Sequence, residues 1–222
     1  MKAEVIYTNL MEYVRTLPEN DQTFIERTVA SETKCKAGLP VTMLLNILID
    51  LKAEMRRDYA KLNGKADVLK AAKNILKAAQ KNGRIAGAVT VDGVQVIRDN
   101  YRLLVLDNPL DLPSCDNTDT AKSLLTNVLH PTASYSQCIN TPTAAAVKLH
   151  IANAVADGQD KHKVEYDFGP DLPVVNAEYL LDFIQAMPDA KISWSGNLVS
   201  AIRFSGNGVT GLLMPIRKKR AA

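Results

Sequence analysis

Apolar positions recur at three- and four-residue intervals through the first third of the chain, then at two-residue intervals. Ile6, Leu10, Tyr13, Val14 and Leu17 predict a first helix ending before Pro18. Gln22, Phe24, Ile25 and Val29 give a narrower stripe and a second helix over about Glu19 to Thr33. Gly38-Leu39-Pro40 breaks the chain, and Pro40 suits the first turn of a third helix. That helix runs through Leu44, Ile47, Leu48, Leu51, Met55 and Tyr59 to about Leu62, where Asn63-Gly64 stops it. The clearest helix spans about Lys65 to Asn82. Its Val68, Leu69, Ala72, Ile75, Leu76 and Ala79 share one face, and Lys70, Lys73, Lys77 and Lys81 fall within about an 80° arc opposite.

After Gly83 the period shortens. Ala88 to Val91 and Val94 to Ile97 flank Asp92-Gly93 as a hairpin, and Tyr101 to Leu106 is a further strand. Asp107 to Asp119 is rich in turn formers, Thr120 to Leu129 is helical, and Pro131 to Pro142 is irregular. Thr143 to Ala156 stays open between strand and helix: Val147, Leu149 and Ile151 alternate, while the alanines favour a helix. A strand is expected from His162 through Val164, Tyr166 and Phe168. A short helix follows over Asn176 to Met187, capped by Asn176, with Leu180, Leu181, Ile184 and Met187 inward. Three strands close the chain, over Lys191 to Ser195, Leu198 to Phe204 and Val209 to Pro215. Helix then strands, repeated once, points to an α+β domain with an internal duplication.

Composition narrows the class. An apolar fraction of 46% over 222 residues suffices for a buried core, carried by aliphatic side chains since only one Trp and four Phe are present. Leu39 to Leu51 is the most apolar run and is too short, and broken by Asn46 and Asp50, to span a bilayer. Met1-Lys2-Ala3-Glu4 lacks the layout of a signal peptide, and Cys35, Cys115 and Cys138 form no CxxC pair, so a cytoplasmic protein with reduced thiols is expected. Positive charge is concentrated. Lys65, Lys70, Lys73, Lys77, Lys81 and Arg84 face only Asp67 within residues 63–84, residues 85–216 are net negative, and Arg217 to Arg220 form a basic tail. A cationic helix face neutralises phosphates without reading bases. Lys70, Lys73, Lys77, Lys81 and Arg84 are therefore the candidate nucleic-acid contacts.

Other constellations carry less. Gly206-Asn207-Gly208-Val209-Thr210-Gly211 matches GxGxxG, but a strand follows it where a dinucleotide site needs a helix, so it reads as a turn. His130, His150 and His162 are far apart with no ligand spacing, and Asp107, Asp111, Asp116 and Asp119 lack EF-hand spacing. With no nucleophile motif either, no catalytic role, cofactor or metal is expected.

Val175-Asn176-Ala177-Glu178-Tyr179-Leu180-Leu181-Asp182, followed by three short strands and Leu213-Met214-Pro215-Ile216-Arg217, resembles the close of the bacterial DNA polymerase III beta sliding clamp. That family shows a Phe-Asn-x-x-Tyr-Leu-Leu-Asp helix start and a Met-Pro-x-Arg terminus. The likeness in layout extends over roughly 65–217. The resemblance implies two related halves, each with a helix toward DNA and a sheet outside, and a partner-peptide pocket holding Met214, Pro215, Ile216 and Arg217, with Leu212 lining it as well. Val175 stands where Phe is usual, one domain stands where clamps carry three, and residues 1–62 have no counterpart. The expected organisation is a helical accessory segment over 1–62, a clamp-like domain over 63–217 and a basic tail over 218–222. The expected function is a DNA-associated accessory or processivity protein that binds duplex DNA and replication or mobile-element proteins, not membranes, as a homo-oligomer. The alternative is a protein-interaction module of the same fold that does not bind DNA.

Overall fold

The computed structural model describes residues 2–32, 34, 40–83, 87–129 and 135–217. The chain divides into two compact units, residues 1–66 and 67–222. The fold is mixed α/β: seven α-helices, one seven-stranded antiparallel sheet and a separate two-stranded sheet among the described residues. No helix among them is long and apolar enough to cross a membrane.

The first unit is helical. α1 (Lys2–Val14), α2 (Glu19–Ser31) and α3 (Pro40–Leu62) bury Val14, Ile25, Val29, Leu45, Leu48 and Ile49 in one cluster. Arg56 of α3, almost fully buried, pairs with Glu32 just past the end of α2. A buried guanidinium needs such a counter-charge, so the pair fixes how α2 returns to α3.

In the second unit α4 (Ala66–Lys81) buries Val68, Leu69, Ala71, Ala72, Ile75, Leu76 and Ala79, the face that its periodicity predicts. β1 (Val89–Val91) and β2 (Val94–Arg98) form the expected hairpin. Asp92 at φ 50° and Gly93 at φ 81° supply the two left-handed residues that a tight turn of this hand requires. β3 (Arg102–Leu106) is buried at all five positions, as a central strand must be. α5 (Thr118–Leu129) follows the loop, which Gln95 holds by donating to the Leu110 carbonyl at 2.8 Å and accepting from the Leu110 amide at 3.0 Å.

Several expectations change here. The stretch read as irregular contains β4 (Gln137–Ile139), an edge strand of three residues; residues 130–134 lie outside the described set. The ambiguous stretch is a helix, α6 (Ala144–Ala156), capped by the Thr143 hydroxyl, which accepts from the Ala146 amide at 3.1 Å. Lys161–Lys163 is a 3-10 turn rather than strand, and only β5 (Glu165–Asp167) is extended, pairing with β6 (Val174–Asn176). α7 (Ala177–Ala186) starts at Asn176, whose side chain accepts from the Tyr179 amide at 3.1 Å. Leu180, Phe183 and Ile184 are buried in it, whereas Leu181 is only half-buried. β7 (Lys191–Trp194), β8 (Ile202–Gly206) and β9 (Val209–Leu213) complete the sheet. β8 begins four residues later than its apolar run suggests, leaving Leu198 and Val199 exposed in a turn.

The strand order is β1-β2-β3-β9-β8-β7-β4. β3 pairs with β9 antiparallel, Leu104 opposite Gly211 and Arg102 opposite Leu213. Alternation then sorts the side chains. Leu103, Val105 and Leu212 join Val89, Val91 and Val96 under α5, with Ala121, Leu125 and Val128. Arg102, Leu104, Gly211 and Leu213 face the opposite way, toward α4 and α7. There Phe183 and Phe204, both fully buried, meet edge to face with centroids 5.1 Å apart.

At Gly211 the side chains of Phe183 and Met187 lie close against the sheet. A Cβ there would lie 3.2 Å from Met187 Cε and 3.2 Å from Phe183 Cε2. Gly211→Val should therefore overpack the site and cost about 1–3 kcal/mol. Urea unfolding checks it: the midpoint should fall with the slope unchanged, and an unshifted midpoint would refute the close packing.

Candidate nucleic-acid interface

The lysine stripe of α4 is partly as its spacing suggests. Lys70, Lys77 and Lys81 are exposed, while Lys73 is half-buried; Arg84 lies outside the described residues. Lys70 Nζ reaches Gln185 Oε1 of α7 at 3.4 Å, so the stripe runs along the side of α4 that borders α7.

The polar positions of α7 include two carboxylates, Glu178 and Asp182, whose charge would oppose a polyanion. Both are answered locally. Asp182 accepts from Asn74 Nδ2 of α4 at 2.8 Å and from Arg102 Nη1 at 2.8 Å. Arg102 also pairs with Asp99, with Nη2 at 2.7 Å and Nε at 2.9 Å from Oδ2, and donates to the Asn74 carbonyl at 3.3 Å. The Asp99 Oδ1 atom accepts the Tyr101 and Arg102 amides, both at 2.7 Å, which closes the turn between β2 and β3. The Arg102 and Asp99 side chains are 2% and 1% exposed, so this network is withdrawn from water. Burial pushes the Asp182 carboxyl up from its ordinary value, against the opposing pull of Asn74, Arg102 and Lys70.

Glu178 accepts from Lys161 Nζ at 3.0 Å and His162 Nδ1 at 2.7 Å. Burial, the largest influence, raises its pKa, but Lys161 and His162 together hold it below its usual value. On the face between α4 and α7 both carboxylates are thus engaged, Asp182 sharing the single charge of Arg102 with Asp99, while Lys70, Lys77 and Lys81 stand exposed. Lys148 of α6 and Lys161 add to that face, and the sequence reading missed both. The run Lys161-His162-Lys163 was a visible signal for one of them; Lys148 sat in the segment left between strand and helix.

Two open grooves mark this face. One of about 590 Å³ has Lys70, Lys148 and Lys161 on its walls, with Leu181 and Gln185 of α7. Another of about 500 Å³ is walled by Lys77, Lys81, Lys161 and His162, with Tyr179 and Arg102 between. The Arg102 guanidinium lies 4.0 Å from the Tyr179 ring centroid, a cation–π contact that holds the ring in place.

The five residues of the expected peptide pocket do not stay together. Leu212 packs against the α5-side cluster, because alternation turns it away from Gly211 and Leu213. Met214, Pro215, Ile216 and Arg217 line an open groove of about 580 Å³ beside Tyr101 and Tyr179. Ile216 and Arg217 also border a larger one, about 1010 Å³, with Leu172, Pro173, Leu198 and Val199. The chain is held there by Met214 N donating to the Tyr101 carbonyl and Ile216 N donating to the Val174 carbonyl, both at 2.8 Å.

Gly206 to Gly211 is the β8–β9 turn and the start of β9, with Asn207 and Gly208 at positive φ. No group of three or more His, Cys, Asp or Glu among the described residues is placed to hold a metal. His150 donates instead to the Glu165 carbonyl at 2.7 Å, and Cys115 and Cys138 are free thiols. Comparison with protein-family models, with curated proteins and with solved structures finds no match to this chain.

Arg102→Met should leave Asp99 without its counter-charge and Asp182 with only Asn74, and destabilise the second unit by about 3–5 kcal/mol. Urea denaturation followed by Trp194 fluorescence reads that unit; a loss under about 0.5 kcal/mol would show that the network carries no weight.

Proposed function

We propose that the chain is a non-catalytic, DNA-associated, clamp-like accessory or processivity protein, holding duplex backbone electrostatically and docking partner peptides beside its last strand. One observation carries the reading: α4-β1-β2-β3 and α7-β7-β8-β9 are both helix-then-three-strand runs, and their last strands pair at β3–β9. Their helices share one face of the sheet, bridged by Asn74, Asp182 and Arg102. That layout supports a reading as two clamp-like halves. It supports a helix face toward DNA on which Lys70, Lys77 and Lys81 are exposed and the α7 carboxylates are already engaged. The groove along Met214 to Arg217 supports peptide docking at the end of β9.

Binding of this kind is sequence-independent and salt-sensitive, with log affinity falling against log salt by about 0.9 per phosphate contacted. The test is anisotropy with a random-sequence duplex. Lys70→Glu, Lys77→Glu and Lys81→Glu combined should weaken binding and flatten the salt slope by about 2–3. The same affinity and slope in parent and triple variant would remove the DNA half of the proposal.

With one clamp-like unit per chain, DNA is encircled only by several copies, so light scattering should give a multiple of 24.3 kDa. A monomer would favour a second reading, a protein-interaction module of the same fold. That reading has its own support. Of the fourteen exposed large apolar side chains among the described residues, nine lie in residues 1–66, including Met43, Ile47, Tyr59 and Leu62 of α3. A helical unit with that surface is suited to a protein partner rather than to phosphate.

A further inference from the structure

The groove walled by Lys77 and Lys81 and the groove walled by Met214 to Arg217 both include His162 and Tyr179, so they adjoin at those two side chains. Together they form a path from α4 to the end of β9. Its exposed cations are Lys77 and Lys81 at one end and Arg217 at the other, while Lys161 and the buried Arg102 between them are taken up by acids. Its two acids are each engaged, Glu178 by Lys161 and His162 and Asp182 by Arg102, whose charge Asp99 shares, so the exposed Lys77, Lys81 and Arg217 are the groups that meet an anion.

What distinguishes this path from the rest of the basic face is an aromatic pair at its middle. The Tyr101 and Tyr179 rings are stacked at 6.2 Å with planes 26° apart. Tyr179 is half-buried and fixed by Arg102, while Tyr101 is 51% exposed. An exposed ring anchored on a second, immobilised ring is a poor use of apolar area in a protein that meets only duplex, because duplex bases are stacked on one another and present no free face. Unpaired bases do present one, and stacking on an aromatic ring within a cationic groove is how single strands are held without sequence preference.

We propose that this continuous groove binds single-stranded nucleic acid, with phosphates against Lys77, Lys81 and Arg217 and a base on the Tyr101 ring. The proposal goes beyond duplex binding and does not need it, since the ring plays no part in backbone contacts.

The test uses the full chain and a short fluorescein-labelled oligothymidylate, with a duplex of matched length in parallel. Tyr101→Leu keeps apolar bulk against Tyr179 on an exposed position, and Tyr101→Phe keeps the ring. Tyr101→Leu should weaken single-strand binding by about 5- to 100-fold. Tyr101→Phe should hold the parent affinity, and neither should change duplex affinity. Three results would overturn the proposal: no binding of the oligothymidylate by the parent, equal single-strand affinity in parent and Tyr101→Leu, or equal losses for single strand and duplex in Tyr101→Leu. Loss of duplex binding in the lysine variants, or its absence, leaves this ring-specific readout standing.

Discussion

A guanidinium buried to 2% exposure must find its partners inside the protein, and Arg102 finds two carboxylates and a backbone carbonyl in three separate parts of the second unit. Asp99 belongs to the turn before β3, Asn74 to α4, and Asp182 to α7. The strand that carries Arg102 is the one that pairs with β9. One side chain therefore sets the spacing of two helices above the seam where the two strand triplets meet. Such a network is expensive to desolvate, and an apolar replacement of all its members can be as stable. What the ionic version adds is direction: Asp182 and Asn74 meet Arg102 in one rotation of α4 and α7 about their axes, and that rotation determines which lysines look outward.

The packing beneath follows from the same seam. β3 is buried on both faces, with Leu104 toward the helices and Leu103 and Val105 toward α5. Each such side chain contributes about 1.5–3 kcal/mol on burial, so the centre of the sheet is its most stable part. Gly211, opposite Leu104, lets Phe183 approach the backbone of β9. An aliphatic residue at that point would lift α7 and with it the Asp182 end of the network.

Local chemistry made much of this legible. The Asp92-Gly93 turn, the Asn176 cap and the apolar face of α4 each rest on residues adjacent in sequence, and the structure has each of them. β4 and β6, three residues each, were not legible because neither sits in an apolar alternation such as Val89 and Val91 or Val164, Tyr166 and Phe168 give to β1 and β5. α6 was obscured by the exposed Leu149 and Val155, which break the 147, 151, 154 spacing of its buried residues. In the site, the lysine stripe could be read from spacing alone, but its context could not. Arg102 opens a wholly buried strand, a position at odds with its charge, and its partners stand three and eighty residues away. Only the fold brings them together. Leu212 shows the converse: it packs in the α5-side cluster, while Met214, two positions on and past the end of β9, lines the groove beside Tyr101 and Tyr179.

Charge counting along the chain makes residues 85–216 look unfavourable to a polyanion, and the structure changes the weight of that count without changing the number. Asp99 and Asp182 share the one charge of Arg102, Glu178 is paired with Lys161 and His162, and Asp160 lies 3.7 Å from Lys163. Acids engaged at contact distance have their fields largely cancelled within a few ångströms, whereas Lys70, Lys77 and Lys81 stand exposed on the same face. Those lysines are thus the charges a phosphate meets first there. On the proposed reading residues 67–222 carry both the cationic, aromatic-bearing face and the peptide groove at the end of β9, and the apolar helical surface of residues 1–66 is a further surface suited to protein. Exposed lysines suit phosphate and exposed apolar side chains suit protein, so these two kinds of surface do not compete for one ligand.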